Sequence, residues 1–266
     1  MVDHSCAPNA HWHHNGKEMI IRTIDKVDDF SMIRHSYLKI LTSNTKKRRE
    51  KLLQDHYFLC ECPKCLDTDS DILKNSTKCQ NCEGCVPISK GTCINCEQKL
   101  SENWKEKYKK LKKSLNKIIA NPDGFGIDDK LYNDAKDTFH QFDTVFTEFL
   151  NIYIFEQIEA KNYAKCLEMT KLKLAHLYQH LPKYEMNIGD QEIKAAKFCT
   201  FLGRSKSKIL CQTEIEREFI SDLIDEAEKH LAKAKDIFEV IFGKDHPILT
   251  KEWKSVRNQI DKKKLK

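Results

Sequence analysis

A chain of 266 residues that is 40% apolar and 32% charged is long enough for one or two domains, and its 8 glycines and 6 prolines are too few for a many-turned β fold. No apolar stretch approaches the roughly 20 residues of a membrane helix, and the opening MVDHSCAPNA lacks a signal-peptide layout, so an intracellular protein, nuclear or cytoplasmic, is expected. The net charge of +6 comes with interspersed Lys and Glu; the one basic cluster, 261–266, reads as a solvated helix end, which argues against direct nucleic-acid binding.

Residues 10–24 read as a β-hairpin. Asn15-Gly16 is the pair preferred in type I′ turns, where both positions need positive φ, and the β-branched run Met19-Ile20-Ile21-Arg22-Thr23-Ile24 follows. His11, His13 and His14 alternate faces there and cannot all converge on a metal; solvated strand residues are expected. Thr45 to Asp55 reads as a basic helix, with Lys46, Lys47, Arg48 and Arg49 near its start. Asp67-Thr68-Asp69-Ser70-Asp71 reads as a linker or exposed loop.

From Ser101 onward the pattern is helical. Apolar residues recur at three- and four-residue steps along Trp104, Tyr108, Leu111, Leu115, Ile118 and Ile119. The same spacing predicts helix faces over Phe139, Phe142, Val145, Phe146, Phe149 and Leu150, over Leu167 to Leu181, and over Phe219 to Ala234. Breaks are expected at Asn121-Pro122-Asp123-Gly124, Leu181-Pro182, Gly203 and Gly243-Lys244-Asp245-His246-Pro247. Helices of this length joined by short turns pack antiparallel. The stretch near 224–250 loosely resembles a tetratricopeptide helix pair, with no strict 34-residue repeat.

Reduced cysteines are the rule inside cells, and eight of the twelve fall between Cys60 and Cys96, which points to metal. Cys60-x-Cys62-x2-Cys65 supplies three ligands for a tetrahedral zinc site, and Cys6 is the candidate fourth. Cys79-x2-Cys82-x10-Cys93-x2-Cys96 is the spacing of a zinc ribbon; Cys85 could replace one of the first pair or stay unligated, and the symmetric pairs are preferred. Two closed, structural zinc ions are therefore expected. Cys166, Cys199 and Cys211 sit in helical patterns as core thiols.

Asp3-His4-Ser5-Cys6-Ala7-Pro8-Asn9 resembles the Asn-His-Ser-Cys-x-Pro-Asn motif of SET-domain lysine methyltransferases. A hairpin, Ser36-Tyr37-Leu38, Arg48-Arg49 with Leu52 and Leu53, Phe58-x-Cys60-x-Cys62-x2-Cys65 and a helical tail follow in turn. That order resembles the SET-and-MYND-domain subfamily of protein lysine methyltransferases. The resemblance implies an α+β, predominantly α chain. Its parts would be the C-terminal part of a SET domain (1–42), a post-SET cysteine segment (43–66), a zinc-ribbon-like segment (67–100) and a tetratricopeptide-like antiparallel helical domain (101–266). It implies a post-SET zinc site of Cys6, Cys60, Cys62 and Cys65. It places Asp3, His4, Tyr37 and Phe58 at an S-adenosylmethionine site and makes Tyr37 the catalytic tyrosine of the methyl-transfer channel.

Departures from the family pattern set the functional expectation. The Gly-rich cofactor loop and the first SET strands have no counterpart in these residues. Asp3 stands where the family has Asn, and a carboxylate accepts but cannot donate. The turn before Tyr37, Val27 to Ile33, is longer and lacks a Gly, and His56 replaces the usual Tyr. The expectation is a truncated S-adenosylmethionine-dependent protein lysine N-methyltransferase, inactive alone and binding that cofactor only with the N-terminal half present. Its substrate would be a histone or another protein with a target lysine. The alternative is a non-catalytic, zinc-stabilised helical module whose groove holds a peptide such as an acidic chaperone tail.

Overall fold

The computed structural model describes residues 2–39, 41–122, 127–209 and 214–264. In chain order its elements begin with β1 (Asp3–His4), β2 (Ala10–Asn15), β3 (Glu18–Thr23) and β4 (Arg34–His35). Then come α1 (Thr45–His56), α2 (Pro63–Leu66), α3 (Thr68–Leu73), β5 (Ser76–Lys78) and β6 (Cys85–Pro87). The helical part comprises α4 (Glu102–Ala120), α5 (Asp129–Thr138), α6 (Thr144–Glu159), α7 (Tyr163–His180), α8 (Met186–Ile209), α9 (Glu214–Phe242) and α10 (Lys254–Lys264). Among the described residues the strands pair only two by two: β1 with β4 in parallel, β2 with β3 and β5 with β6 antiparallel. The chain is thus mostly helical with small sheets. No helix among the described residues is long and apolar enough to cross a membrane. The chain divides into two compact units, one of Met1–Tyr37 with Gln157–Lys266 and one of Leu38–Glu156.

In the first unit the hairpin forms as predicted, but its turn differs. Asn15 pairs with Glu18, so the loop is Gly16-Lys17, and of these only Gly16 has positive φ, 62°. A single left-handed residue at the first loop position suits Gly, and Asn15 stays in the strand. His14 is exposed as expected. His11 and His13 are not solvated strand residues: they are half-buried, edge-on to Phe242 at 5.4 and 5.2 Å between ring centres. The Arg22 Nε–H reaches the Val240 carbonyl beside them, at 3.0 Å. The apolar body of an imidazole makes this burial favourable while the ring is neutral, and burial pushes the His11 pKa down to about 4.

The helices of this unit alternate in direction. Tyr163 at the start of α7 meets Phe201 late in α8, and Tyr178 at its end donates to Glu192 near the start of α8 at 2.5 Å. Glu192 is fully buried and also takes a hydrogen bond from His230 of α9, whose Nε2 lies 3.5 Å from Glu226. Lys171 of α7 reaches Glu226 at 2.5 Å. One polar chain therefore ties α7, α8 and α9. α9 ends at Phe242 before the predicted break, and Trp253 Nε1 then donates to the Leu231 carbonyl at 2.8 Å while Arg257 meets Glu228 at 3.1 Å, so α10 returns antiparallel to α9. The break after Leu181 is present; the one at Gly203 is not, because α8 runs through it. A helix interior tolerates one Gly at about 1 kcal/mol, which packing between α7 and α9 readily offsets. Cys166 and Cys199 are buried thiols of this unit, whereas Cys211 lies outside the described residues, as do Asp123-Gly124 of one predicted break and the last two residues of the basic tail.

In the second unit α1 matches the predicted basic helix and is capped by Asn44, whose side chain accepts from the Lys47 amide. Asp67 to Asp71 is not a loop: Asp67 caps α3 by accepting from Ser70 N–H at 3.0 Å, and the acidic first turn of Asp69 and Asp71 suits a helix N-terminus. α4 starts at Ser101, its cap, and buries Tyr108, Leu115 and Ile118 on one face. Phe139 and Phe142 do not share a helix face with Phe146. Asp143, fully buried, accepts from the amides of Val145 (2.9 Å) and Phe146 (3.2 Å), so α6 begins only at Thr144. The chain between α5 and α6 instead crosses to β5, with Phe139 opposite Thr77 and the His140 amide on the Ser76 carbonyl at 3.3 Å. Asp143 closes this junction, taking hydrogen bonds from Ser76 N–H (3.1 Å) and the Tyr108 hydroxyl (2.6 Å).

Candidate metal centres

The segment from Cys79 to Cys96 is built as two copies of one turn, each reading Cys-x-Asn-Cys-Glu. In the first, Asn81 N–H points at the Cys79 sulfur at 3.4 Å; in the second, Asn95 N–H points at Cys93 at 3.4 Å. The Glu83 and Glu97 amides return to the Cys79 and Cys93 carbonyls, both at 3.1 Å. Both glutamates take the left-handed conformation, at φ 57° and 58°. The backbone N–H groups thus aim at sulfur, the arrangement a thiolate wants.

The two turns face each other. Cys79 and Cys96 sulfurs are 3.6 Å apart, Cys82 and Cys93 3.5 Å, Cys82 and Cys96 3.3 Å, and all four lie within 4.8 Å of one another. A tetrahedron with Zn–S of about 2.3 Å has S···S edges of about 3.8 Å, so the four sulfurs fit one zinc ion and leave no ligand position for water. The Gln98 amide holds the Cys96 thiol down at about 6, while, against the Gly84 amide, the hydrogen bonds to Cys96 and Cys93 push the Cys82 thiol up, so a cation is needed to hold all four as thiolates. Cys85 is outside the group: it is buried in β6, where burial raises its thiol pKa. Val86, Cys79 and Cys93, with Leu100 against them, form a small apolar cluster here, to which a bound metal would add most of the holding energy.

Cys60, Cys62 and Cys65 form a second group, their sulfurs also within 4.8 Å of one another. Cys62 stands at the N-terminus of α2 with Pro63 in the first turn, and the Cys65 amide closes on the Cys62 carbonyl at 2.8 Å. Burial pushes the Cys60 thiol up to about 11, so a cation is needed to hold it as thiolate. Arg48 and Arg49 of α1 attend this loop. Arg49 Nε donates to the Cys60 carbonyl at 2.8 Å; Arg48, with 0% exposure, donates to the Lys64 carbonyl at 3.2 Å and lies 3.6 Å from the Cys65 sulfur. Three thiolates leave a tetrahedral ion one ligand short.

Cys6 belongs to the first unit, where it is fully buried with His4 Nε2 3.2 Å from its sulfur. The short parallel pair β1–β4 sets Asp3 beside Arg34, 3.8 Å between their charged groups, and His4 beside His35. Tyr37 closes on the same strand end. Its amide donates to His4 Nδ1 at 3.0 Å, its ring lies 5.2 Å from that of His4, and its hydroxyl donates to the Val2 carbonyl at 2.8 Å. The structure thus gathers Asp3, His4, Cys6 and Tyr37 in one unit. Phe58 is half-buried in the other, in the extended stretch after α1.

Sequence reasoning passed over the Asn and Glu of each Cys-x-Asn-Cys-Glu turn, although the repeat itself was visible. It also passed over Arg48 as a buried partner of Cys65 and Asp143 as the acceptor under the ribbon.

Comparison with known proteins gives the same direction. No protein-family model matches the chain. A SET and MYND domain-containing protein of Dictyostelium discoideum is 38% identical over 69 residues, 26% of this chain and 16% of that protein. N-lysine methyltransferase SMYD2-A of Danio rerio is 22% identical over 272 residues, 97% of this chain and 53% of that protein. Human N-lysine methyltransferase SMYD2 is 22% identical over 94% of this chain and 51% of its own length. The chain is thus a relative of the SET-and-MYND-domain proteins along about 95% of its length. It spans about half the length of the methyltransferases it matches.

Proposed function

We propose that the chain serves an S-adenosylmethionine-dependent protein lysine N-methyltransferase of the SET-and-MYND type, as its SET terminus, post-SET zinc segment and helical region. The observation that carries this reading is the closure of Tyr37 onto His4 across the parallel β1–β4 pair. Bound S-adenosylmethionine supplies an electrophilic methyl on a sulfonium. The Tyr37 hydroxyl donates its hydrogen to Val2, and a phenolic oxygen in that orientation can accept an N–H from a lysine amine and aim the nitrogen. Asp3 can accept from the cofactor's ammonium or hydroxyls, and its carboxylate offsets sulfonium charge; it cannot make the donations of the Asn it replaces. His4 orients the Tyr37 backbone, and the family resemblance gives Phe58 the part of an apolar wall.

Zinc fits the cysteines present. Cys79, Cys82, Cys93 and Cys96 hold one ion. Cys60, Cys62 and Cys65 hold a second, for which the family resemblance names Cys6 as fourth ligand. Both are structural. The 266 residues alone are inactive on this reading, since Asp3 weakens the cofactor site.

The test is labelled methyl transfer to lysine peptides, histone and non-histone, by the endogenous polypeptide captured through its helical region. Transfer that falls at least 100-fold in Tyr37→Phe supports the assignment; absence of any S-adenosylmethionine binding sinks it. Transfer by the purified 266-residue chain sinks the claim of inactivity.

One observation favours a binding module as a second reading. Lys109, Lys112, Lys113 and Lys117 of α4 line one hollow. Such a surface suits an acidic peptide, of the kind a chaperone tail presents. Anisotropy of a labelled Asp/Glu-rich peptide tests it: saturable binding lost in Lys112→Glu/Lys113→Glu is the expected result, and equal binding by that variant rules the groove out.

A further inference from the structure

We propose that Arg48 is a positioning residue for the Cys60–Cys65 metal loop, holding the Cys65 sulfur and setting how tightly that loop keeps its ion. This rests on the zinc reading of those cysteines and assigns a role to the Arg48-Arg49 pair that neither zinc ligation nor methyl transfer supplies. A guanidinium with no solvent exposure must be satisfied inside the protein. Partners of Arg48 lie in the loop and in the elements that frame it. Its Nη1 meets the Ser43 carbonyl and stands 3.8 Å from an Asp71 oxygen. Its Nη2 reaches Thr45 Oγ1 at 2.9 Å, the Lys64 carbonyl at 3.2 Å and the Cys65 sulfur at 3.6 Å.

The geometry makes one side chain a bracket. Ser43 and Thr45 fix the guanidinium plane to the start of α1, and the opposite edge grips the backbone before Cys65 and the thiol itself. Arg49, the next residue on α1, holds the other end of the loop through the Cys60 carbonyl. Two adjacent arginines therefore secure the first and last ligands of one C-x-C-x2-C run.

The chemistry agrees with the placement. Zinc bound by three or four thiolates carries net negative charge, and a buried fixed cation beside it offsets that charge at close range. A charge-assisted N–H to sulfur draws electron density from that one thiolate and orients its lone pairs. Lysine could supply the charge and not the fork, because an ammonium cannot reach a carbonyl and a sulfur in one plane while staying tied to Ser43. The ribbon has no arginine on its sulfurs among the described residues and uses backbone amides of Asn81 and Asn95 instead.

The test uses the full chain loaded with zinc, and reads ion release to a coloured chelator alongside the sulfur-to-cobalt charge-transfer band of cobalt-loaded protein. Wild type is expected to hold two ions released in separate phases, the ribbon phase being the one that Cys96→Ser removes. Arg48→Met should speed release of the other ion 10- to 100-fold, the usual cost of losing an outer partner of a metal ligand, and shift the cobalt band of that site only. Arg48→Lys should fall between, and it carries the test if Arg48→Met does not fold. Unchanged release and band in Arg48→Lys overturn the proposal, and so does equal acceleration of both ions, which would mean general support of the unit. If wild type holds only the ion that Cys96→Ser removes, the zinc reading of Cys60–Cys65 fails and this role falls with it; two ions with insensitive release sink the arginine role alone.

Discussion

The two cysteine groups solve the same chemical problem in opposite ways. The Cys79–Cys96 ribbon is local and repeated: each half brings its own pair of sulfurs, its own amide donors and its own left-handed Glu, and two of its four cysteines, Cys82 and Cys96, stay exposed. The Cys60–Cys65 loop is borrowed: it has three sulfurs, those of Cys60 and Cys65 on buried residues, and takes its polar partners from α1. A ribbon of this kind depends on its metal more than on its surroundings, whereas the loop depends on both. The contrast predicts that the two sites fail separately and for different reasons.

The largest effect should come from breaking the ribbon itself. Structural zinc in small fingers contributes about 10–16 kcal/mol of apparent binding free energy that is also folding free energy. Cys96→Ser should lower the zinc count from two to one and leave residues 79–100 open to protease, with the Cys60–Cys65 ion retained. Metal analysis with limited proteolysis reads both; loss of both ions together would show that the sites are one cooperative unit.

Asp143 tests whether the ribbon leans on the helices. It is a fully buried carboxylate with four hydrogen-bond donors from β5, α4 and α6, and burial raises its pKa. Asp143→Ala strands those donors, a loss of about 3–5 kcal/mol. Denaturant unfolding should show that loss with zinc stoichiometry unchanged. A fall in stoichiometry would mean that the Asp143 junction, not the metal, shapes the ribbon.

A smaller effect of the same junction depends on pH. His140 is buried, its Nδ1 accepts from the Phe142 amide at 3.3 Å, and burial pushes its pKa down to about 4, Lys78 adding to the shift. Above pH 6.5 it is neutral in both folded and unfolded chains. As pH falls from 6.5 toward 4 the unfolded chain takes up the proton first, so stability is lost across that window, by about 2–3 kcal/mol. His140→Gln keeps an acceptor without a titrating group. Its stability should fall less between pH 6.5 and 4.5 than that of wild type, compared as a difference because acid also loosens zinc in both. Parallel curves would remove His140 from the account.

What the sequence disclosed follows the same division between local and borrowed. The ribbon, the hairpin and the helical faces of α4, α7 and α9 were legible because spacing alone encodes them. Arg48 was read only as part of a basic helix and a family motif; its burial depends on Cys65, which lies 17 positions away in sequence. Asp143 was invisible for a related reason: periodicity ran Phe139 to Leu150 together as one face, and only the pull of Ser76 on that segment breaks the helix. Asp67 to Asp71 looked like a loop because polarity was weighed above capping, although Asp67 followed by an acidic turn is a helix-start signal. Gly203 erred the other way, a breaker overruled by packing that composition does not reveal.

The smallest effect probes the ribbon's symmetry. Gly84 follows the first turn where Gln98 follows the second, and a Cβ on Gly84 would stand 2.9 Å from the Asn95 side chain of the opposite turn. Its φ is not in the left-handed region, so the constraint is contact and not backbone strain. Gly84→Ala should therefore cost about 1 kcal/mol, the low end for overpacking, because Asn95 can shift. Asn95→Ala keeps the backbone N–H on the Cys93 sulfur and removes the two atoms at 2.9 Å, leaving the Cβ at 3.1 Å. In the double variant the cost of Gly84→Ala should fall to about half, a coupling that a double-mutant cycle of zinc-loaded unfolding reads directly. Additive costs would place the penalty elsewhere than at the meeting of the two turns, and the ribbon would then be two knuckles joined by metal alone.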